Sequence, residues 1–115
     1  MEIRYNTKKT EKQFSSKYKK NWTYPAQVSK KLVAIETFIK AATSLEDIKN
    51  YPSYRFHKLV GDRKGEWSIS VGHTGYRVTV IPCGDDDKPI IKGDVIAQCK
   101  FIKIVLVTEV SNHYE

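Results

Sequence analysis

The spacing of apolar residues along the chain changes once, near residue 52. Before that point apolar side chains recur at every third or fourth position, which is the period of an amphipathic helix. After it, apolar and polar residues alternate, which is the period of a half-buried strand. Residues 2–8 precede the helical pattern and are predicted to form a short opening strand. The pattern therefore predicts one strand, then helices, then a sheet.

The helical part predicts two helices joined by a short turn. The first begins at Thr10, because Thr10 and Gln13 have the spacing of a capping box. Three aromatic residues recur at every fourth position on one of its faces: Phe14, Tyr18 and Trp22. Pro25 ends that pattern. Four apolar residues beyond it predict the second helix: Val28, Leu32, Ile35 and Ile39. Helices joined so closely are expected to pack as an antiparallel hairpin.

The remaining residues predict neighbouring antiparallel strands. Apolar and polar residues alternate over residues 67–71 and 76–80, and Gly72-His73-Thr74-Gly75 between them is a hairpin signal. A strand over residues 55–60 precedes them across a second glycine-flanked turn. Residues 101–110 are rich in branched side chains and predict a last, central strand. Residues 83–98 have no clear period, so a loop or a protruding hairpin is expected there.

These elements predict a single α+β domain, residues 1–115, in which an N-terminal strand and a helical hairpin pack on one face of a twisted antiparallel sheet. The helices cover only one face. Alternation then places five polar residues on the open face: Ser68, Ser70, Arg77, Thr79 and Lys103. Alternation does not decide which face of the sheet carries Lys58, because Phe56 and Val60 would share its side unless a bulge intervenes.

Charge adds a class of partner to this fold. With 20 Lys and Arg against 13 Asp and Glu, the chain has a formal net charge of +7 at pH 7. This excess favours either a polyanionic partner or a solvated basic surface without a ligand. No apolar segment is long enough to cross a bilayer and the amino terminus lacks the hydrophobic block of a secretion signal, so a cytoplasmic protein without a membrane partner is expected. Cys83 and Cys99 match no metal-ligand spacing and are expected to be packed side chains.

Several weak motifs occur together in the order of a known toxin family. The segment FHKLVGDRKGEWSISVGHTGYRVTVI, residues 56–81, and the final His113-Tyr114 resemble the carboxyl-terminal half of RelE, YoeB and HigB toxins. Those toxins carry an HKL-type strand start, a Gly-x-Trp/Tyr-Ser strand, a Tyr-Arg or His-Arg pair and a terminal His-Tyr or Tyr-His. The LEDI segment, residues 45–48, is similar too. The order of elements is similar over the whole chain.

The resemblance implies a RelE-like toxin fold and an endoribonuclease that cuts messenger RNA on the ribosome without a metal or cofactor. It also implies a co-expressed antitoxin, which in the HigB branch is a helix-turn-helix protein of the HigA kind. Such cleavage uses the RNA 2′-hydroxyl as nucleophile, so the site must remove one proton, donate another and stabilise the extra negative charge.

Arg77 is the first candidate for this chemistry, because it follows Tyr76 as in the toxins and its planar guanidinium suits a phosphate. The resemblance adds His113 and Tyr114 as a catalytic pair, and Lys58 as a group that holds the phosphate or donates a proton. Four further residues are expected to contact RNA: His57, Arg63, Lys64 and Lys103. Ordinary surface roles also fit these residues, and a disordered chain end fits the last ones.

The general base and the function class both stay open at the level of sequence. No carboxylate stands at Arg55-Phe56-His57, where some YoeB-type members have one, and Glu66 and Glu109 are the possible substitutes. A ParE-like toxin that inhibits DNA gyrase by protein binding is one rival, although those toxins generally lack the terminal His-Tyr and the basic cluster. A non-catalytic nucleic-acid-binding module is the other, and it would tolerate loss of His113.

Overall fold

The computed structural model describes residues 1–61, 63 and 65–112, and within these residues the strands form one sheet. The strands are β1 (Glu2–Tyr5), β2 (His57–Lys58), β3 (Trp67–Ser70), β4 (Tyr76–Cys83) and β5 (Ile104–Asn112). Their order across the sheet is β1-β5-β4-β3-β2. The neighbours are antiparallel except β1, which runs parallel to β5. The α+β class is confirmed, whereas the expectation of a wholly antiparallel sheet is wrong at β1.

The parallel pairing of β1 follows from its position in the chain. A short turn forces the strands on either side of it to be antiparallel, as between β3 and β4, but β1 is followed by helices and has no such neighbour. It pairs instead with the last strand, Ile3 opposite Val105. The amino group of Met1 donates to the Ala42 carbonyl at 2.6 Å and to the Ile39 carbonyl at 3.1 Å. These bonds hold the edge strand to the end of the long helix.

The α-helices of the described residues are α1 (Lys8–Phe14), α2 (Ala26–Ala41), α3 (Leu45–Lys49) and α4 (Val95–Gln98). Short 3₁₀ segments lie at Ser16–Asn21, Pro52–Tyr54 and Cys99–Phe101. In the described part of the chain no helix combines the length and apolar composition needed to cross a bilayer.

The predicted first helix begins earlier than expected and is divided in two. Thr7 is its N-cap, and the Thr7 hydroxyl accepts the Thr10 amide at 3.1 Å. Ser15 is extended and ends α1, because its hydroxyl accepts the Lys17 amide and starts the 3₁₀ segment. The break removes the helical register after Phe14, so the three aromatic residues of the predicted stripe do not share one continuous helix.

The core lies between α2 and one face of the sheet. The predicted apolar stripe of α2 is confirmed, since its four members are almost fully buried: Val28, Leu32, Ile35 and Ile39. The sheet contributes fully buried residues of β3, β4 and β5: Ile69, Val78, Val80 and Val107. The predicted loop over residues 83–98 is partly wrong, because α4 and the following 3₁₀ segment bury Val95 and Cys99 in the same core. Cys83 and Cys99 are free and buried, as expected.

A β-bulge in β5 bends the sheet next to its centre. Thr79 lies opposite Glu109 while Val80 lies opposite Val107, so Thr108 is an extra residue in β5. The Thr108 carbonyl accepts from the Asn6 amide group at 3.3 Å and from the Thr10 hydroxyl at 3.5 Å. Bulges of this kind increase the local twist of a sheet. The bulge therefore also attaches the amino-terminal segment to β5.

Candidate functional site

The strand register confirms that Ser68, Ser70, Arg77 and Thr79 share one face of the sheet, but Ser68 and Thr79 are buried, so the prediction of an open face is wrong at these two positions. Ser68 lies opposite Thr79 and Ser70 lies opposite Arg77, and these four alternate with buried apolar residues that face the helices. Side chains directly opposite on antiparallel strands share a face. The accessible part of this face therefore presents Arg77 beside Ser70.

An ion-pair network covers one end of this face. Arg63 bonds Glu66 at 2.5 Å and Glu109 at 2.9 Å, and so connects the start of β3 with β5 across β4. Thr79, which lies opposite Glu109, is fully buried. The two carboxylates hold the pKa of the Arg63 guanidinium above its usual value. Arg63, Glu66 and Glu109 thus form one ion-paired network in which a single guanidinium is shared by two carboxylates.

A pocket of about 350 Å³ occupies the other end of the open face, beside the β3–β4 turn. We call it the sheet pocket and define it by six of its lining residues: Arg55, His57, Ser68, Ser70, His73 and Arg77. The described lining contains two arginines and two histidines, and no carboxylate. Its electrostatic character is therefore cationic, which suits an anion such as a phosphate.

Arg77 carries a donor without an acceptor in the sheet pocket. Its Nε atom is buried and has no hydrogen-bond partner among the described residues. A buried donor left unpaired costs about 1–3 kcal/mol, and more when the group is charged. Arg77 also lines the sheet pocket, so an anionic oxygen bound there would lie beside a guanidinium whose hydrogen bonds are incomplete. The geometry therefore favours an oxyanion ligand here.

The backbone orients the imidazole of His57. Its Nδ1 atom lies 2.7 Å from the Arg55 carbonyl oxygen, which can only accept a hydrogen bond. Nδ1 therefore carries the proton of the neutral ring, and Nε2 keeps a free lone pair. Arg55 is left-handed, with φ 45° and ψ 45°, and its amide donates to the Pro52 carbonyl at 3.0 Å. This turn fixes the carbonyl that holds His57.

The register sets the order of the cationic groups along β3. His57 lies opposite Ser68, Arg77 lies opposite Ser70, and His73 belongs to the turn that follows. Strand spacing and rise place the Cα atoms of His57 and Arg77 about 12 Å apart, with both residues on one face. Arg77 therefore stands between two histidines. A bound phosphodiester at Arg77 would have an imidazole on either side.

Three predicted site residues lie elsewhere. Lys58 pairs with Trp67, whose ring is buried towards the helices, so Lys58 and His57 project from opposite faces of β2. This placement corrects the predicted grouping of Lys58 with Arg77. Lys103 precedes β5 and is eight residues from Ser111, the partner of Arg77, or about 26 Å along a strand. It does not reach the sheet pocket.

The third residue, Arg63, is held in the ion-pair network and does not line the sheet pocket. Lys64, His113 and Tyr114 lie outside the described residues, so their predicted roles stay predictions. Sequence reasoning missed Arg55 and His73 as site residues. Arg55 is two positions from His57, and His73 lies in the glycine-flanked turn next to Arg77, so alternation and the turn signal contained the necessary information.

No protein-family model and no curated protein matches the chain. The function therefore has to be argued from the sheet pocket itself. An imidazole can take up or give a proton, and an arginine between two imidazoles can hold a negative charge. This is the equipment of acid–base chemistry on an anion.

Proposed function

We propose that the protein is a metal-independent endoribonuclease whose active site is the sheet pocket. The observation that carries the proposal is the buried, unpaired Nε of Arg77 in a pocket whose described lining has no carboxylate. A magnesium site would need such oxygen ligands, whereas a phosphodiester needs donors. The two histidines beside Arg77 supply the proton transfers.

The chemistry would proceed in one displacement at phosphorus. His57 Nε2 removes the proton of the RNA 2′-hydroxyl, and the 2′-oxygen attacks the adjacent phosphorus. Arg77 donates to a non-bridging oxygen as negative charge grows. The bond from phosphorus to the 5′-oxygen breaks, and protonated His73 gives that oxygen its proton. The products are a 2′,3′-cyclic phosphate and a 5′-hydroxyl, so protons and bonds balance.

We extend the proposal to a biological role from the resemblance described above. The chain would be a RelE-like toxin of a type II toxin–antitoxin system, acting in the cytoplasm on messenger RNA that is being translated on the ribosome. A helix-turn-helix antitoxin of the HigA kind would keep it silent. His113 and Tyr114 would add to the sheet pocket, and this part rests on the resemblance alone.

A translation extract tests the nuclease directly. Messenger RNA is translated with the parent protein, with Arg77→Gln, and with the control Arg4→Gln, and primer extension maps new ends. Arg4 lies in an edge strand and is paired with Glu2 and Asp87, away from the sheet pocket. Loss of a donor to the developing charge predicts a fall of about 10²–10³-fold for the Arg77 variant, and the control should match the parent.

Two results would reject the nuclease. One is equal cutting by the parent and the Arg77→Gln variant at matched thermal stability. The other is the absence of ends that depend on the parent protein. Inhibition of DNA gyrase without any cutting would support the ParE-like rival instead. Retained RNA affinity without cutting by the parent would support the non-catalytic module.

A further inference from the structure

The positive charge of the protein is concentrated away from the sheet pocket. Residues 8–20 contain six lysines and one glutamate, a net charge of five out of the chain's total of +7. They form α1 and most of the 3₁₀ segment that follows. The charge that suggested a polyanionic partner therefore belongs mainly to the helical layer.

A cleft of about 760 Å³ lies in this basic region. We call it the lysine cleft and define it by six of its lining residues: Lys8, Lys9, Lys12, Tyr18, Trp22 and Tyr24. Its volume is within the range of sites that hold ligands. Ammonium groups and aromatic rings thus line one concave surface.

The lysines of this cleft are largely unpaired. Lys8 bonds Glu11 at 3.2 Å, and in the described ranges neither Lys9 nor Lys12 has an ion-pair partner. Two ammonium groups lie near the Tyr18 ring, with Lys8 Nζ at 5.3 Å and Lys17 Nζ at 5.5 Å from its centroid. Positive charge is therefore gathered around the ring and left available to an anionic ligand.

The aromatic wall is held in place by the end of α1. The indole Nε1 of Trp22 donates to the Lys12 carbonyl at 2.8 Å, and the Tyr24 hydroxyl donates to the Gln13 carbonyl at 2.9 Å. Carbonyls in the last turn of a helix have no partner within the helix, so both bonds satisfy groups that α1 leaves open. The rings of Trp22 and Tyr24 meet edge to face, 5.5 Å apart.

The lysine cleft is connected to the sheet pocket by two tyrosines. The rings of Tyr24 and Tyr76 meet edge to face at 5.6 Å. Tyr24 lines the lysine cleft, and Tyr76 lies at the boundary of the sheet pocket. The Tyr24–Tyr76 pair therefore lies between the two sites.

We infer that the lysine cleft binds a single-stranded stretch of the same RNA that the sheet pocket cuts. The choice of RNA rests on the proposed function, whereas the cleft itself rests on its own lysines and rings. Lysines along a groove contact successive phosphates, and aromatic rings stack on unpaired bases of any sequence. Bases in a duplex are already stacked on each other, so a single strand is the better ligand.

Binding of an RNA that resists cleavage tests this inference without any turnover. The probe is a fluorescent single-stranded 2′-O-methyl RNA, and anisotropy gives its affinity over a range of salt concentrations. The test variant is Lys9→Ala/Lys12→Ala, and the matched control is Lys92→Ala/Lys100→Ala, which removes the same charge from exposed positions outside both sites. Tyr18→Leu tests stacking, because it removes the aromatic ring and keeps an apolar side chain.

The Lys9/Lys12 variant should bind about tenfold or more weakly, and its log–log salt slope should fall by about 1.4, or 0.7 for each lost phosphate contact. The Tyr18→Leu variant should lose about fivefold or more, the effect of one lost stack. Equal affinity and slope for the Lys9/Lys12 variant and its charge-matched control would overturn the inference. Tighter binding of duplex RNA than of the single strand would overturn it too.

The two proposals fail separately. If Arg77→Gln cuts as well as the parent while Lys9→Ala/Lys12→Ala binds weakly, the nuclease assignment is wrong and the cleft is supported as an RNA site. If Arg77→Gln loses cutting and the Lys9/Lys12 variant behaves like its control, the nuclease is supported and the cleft assignment is wrong.

Discussion

The sheet pocket and the lysine cleft are both positively charged, but they are built differently. The sheet pocket takes Arg77 from a central strand and fixes His57 by a bond to a backbone carbonyl. The lysine cleft takes exposed lysines from a helix of only two turns, with no ion-pair partner for Lys9 or Lys12 among the described residues. The side chains of the sheet pocket are therefore held in position, whereas the lysines of the cleft can change conformation.

This difference matches two physical tasks. Stabilising a transition state needs donors held in position before the reaction begins. Attracting a flexible polyanion needs charge that can follow the strand, and long lysine side chains supply it at little cost in fixed structure. Net charge alone does not separate these tasks, because arginine, lysine and protonated histidine count alike in it.

The largest expected effect is a difference in cleavage rate between variants of His57 and Lys58, which are neighbours in β2. His57→Asn keeps an amide N–H that can donate to the Arg55 carbonyl but removes the basic nitrogen, so the cleavage rate should fall about 10²–10⁴-fold. Lys58→Ala is the matched control on the opposite face of the strand and should keep the parent's rate. Single-turnover cleavage of translated messenger RNA measures both. If Lys58→Ala cut slowly and His57→Asn cut like the parent, the roles assigned to the two residues would have to be exchanged.

The next largest effect is a difference between the lysine cleft and the sheet pocket in their response to salt. Raising the salt concentration fourfold should weaken RNA binding about sevenfold, if two lysines of the cleft contact phosphates. The partly buried guanidinium of Arg77 is screened less, so kcat should change little while KM rises. Steady-state kinetics at two salt concentrations measure both. A fall in kcat with an unchanged KM would contradict this division of labour.

A smaller effect concerns the ion-pair network beside the sheet pocket. Arg63→Gln leaves Glu66 and Glu109 close together without their shared cation, and the Glu66 side chain is only 18 % exposed. We expect a loss of about 1 kcal/mol, or about 4 °C in Tm, by thermal unfolding. Arg4→Gln, whose ion pairs are more exposed, should change Tm less. If Arg63→Gln kept the parent's Tm but bound RNA more weakly, the result would support the first prediction, that Arg63 contacts RNA.

The smallest effect concerns Tyr24, which lies between the two regions. Burial raises the pKa of Tyr24 to about 12. This pKa is above that of a tyrosine in the unfolded chain. The stabilisation that the neutral Tyr24 hydroxyl gives is therefore complete below pH 10 and is lost as the pH rises towards 12. Tm should therefore fall over this interval, and less steeply in Tyr24→Phe. Tyr5 and Tyr54 are raised to about 12 as well, so a shallower decline remains in the variant. Identical slopes would contradict the assignment.

Periodicity correctly predicted the helices and strands that pack against elements close to them in the sequence. The apolar stripe of α2 and the alternation of β3 and β4 are long enough to show a period, and a short turn fixes their pairing. The partner of β1 lies about a hundred residues away, and no local pattern records such a contact. Helix α4 has four residues, about one turn, so it could not show a helical period.

The site was predictable as far as strand alternation reached. Alternation placed Arg77 on the open face and linked Lys58 with Phe56, which does stack on Trp67 at 4.8 Å. The family resemblance favoured Lys58 as a site residue against that pattern. The position of His57 depends on the left-handed conformation of Arg55, which sequence does not indicate for an arginine. The lysine cleft depends on the break after Phe14, since one continuous helix would have aligned its aromatic residues differently.

Thr108 connects the start of α1 with the ion-pair network beside the sheet pocket. Its carbonyl, freed from strand pairing by the bulge, holds the start of α1, while its hydroxyl lies 3.2 Å from both Glu66 Oε2 and the Thr79 carbonyl on the open face. Deleting this single residue would restore regular pairing of β5 and leave its inward and outward faces unchanged. We expect the fold to survive this deletion while the distance between the lysine cleft and the sheet pocket changes. Chains that differ in length at this position are expected to space the two sites differently.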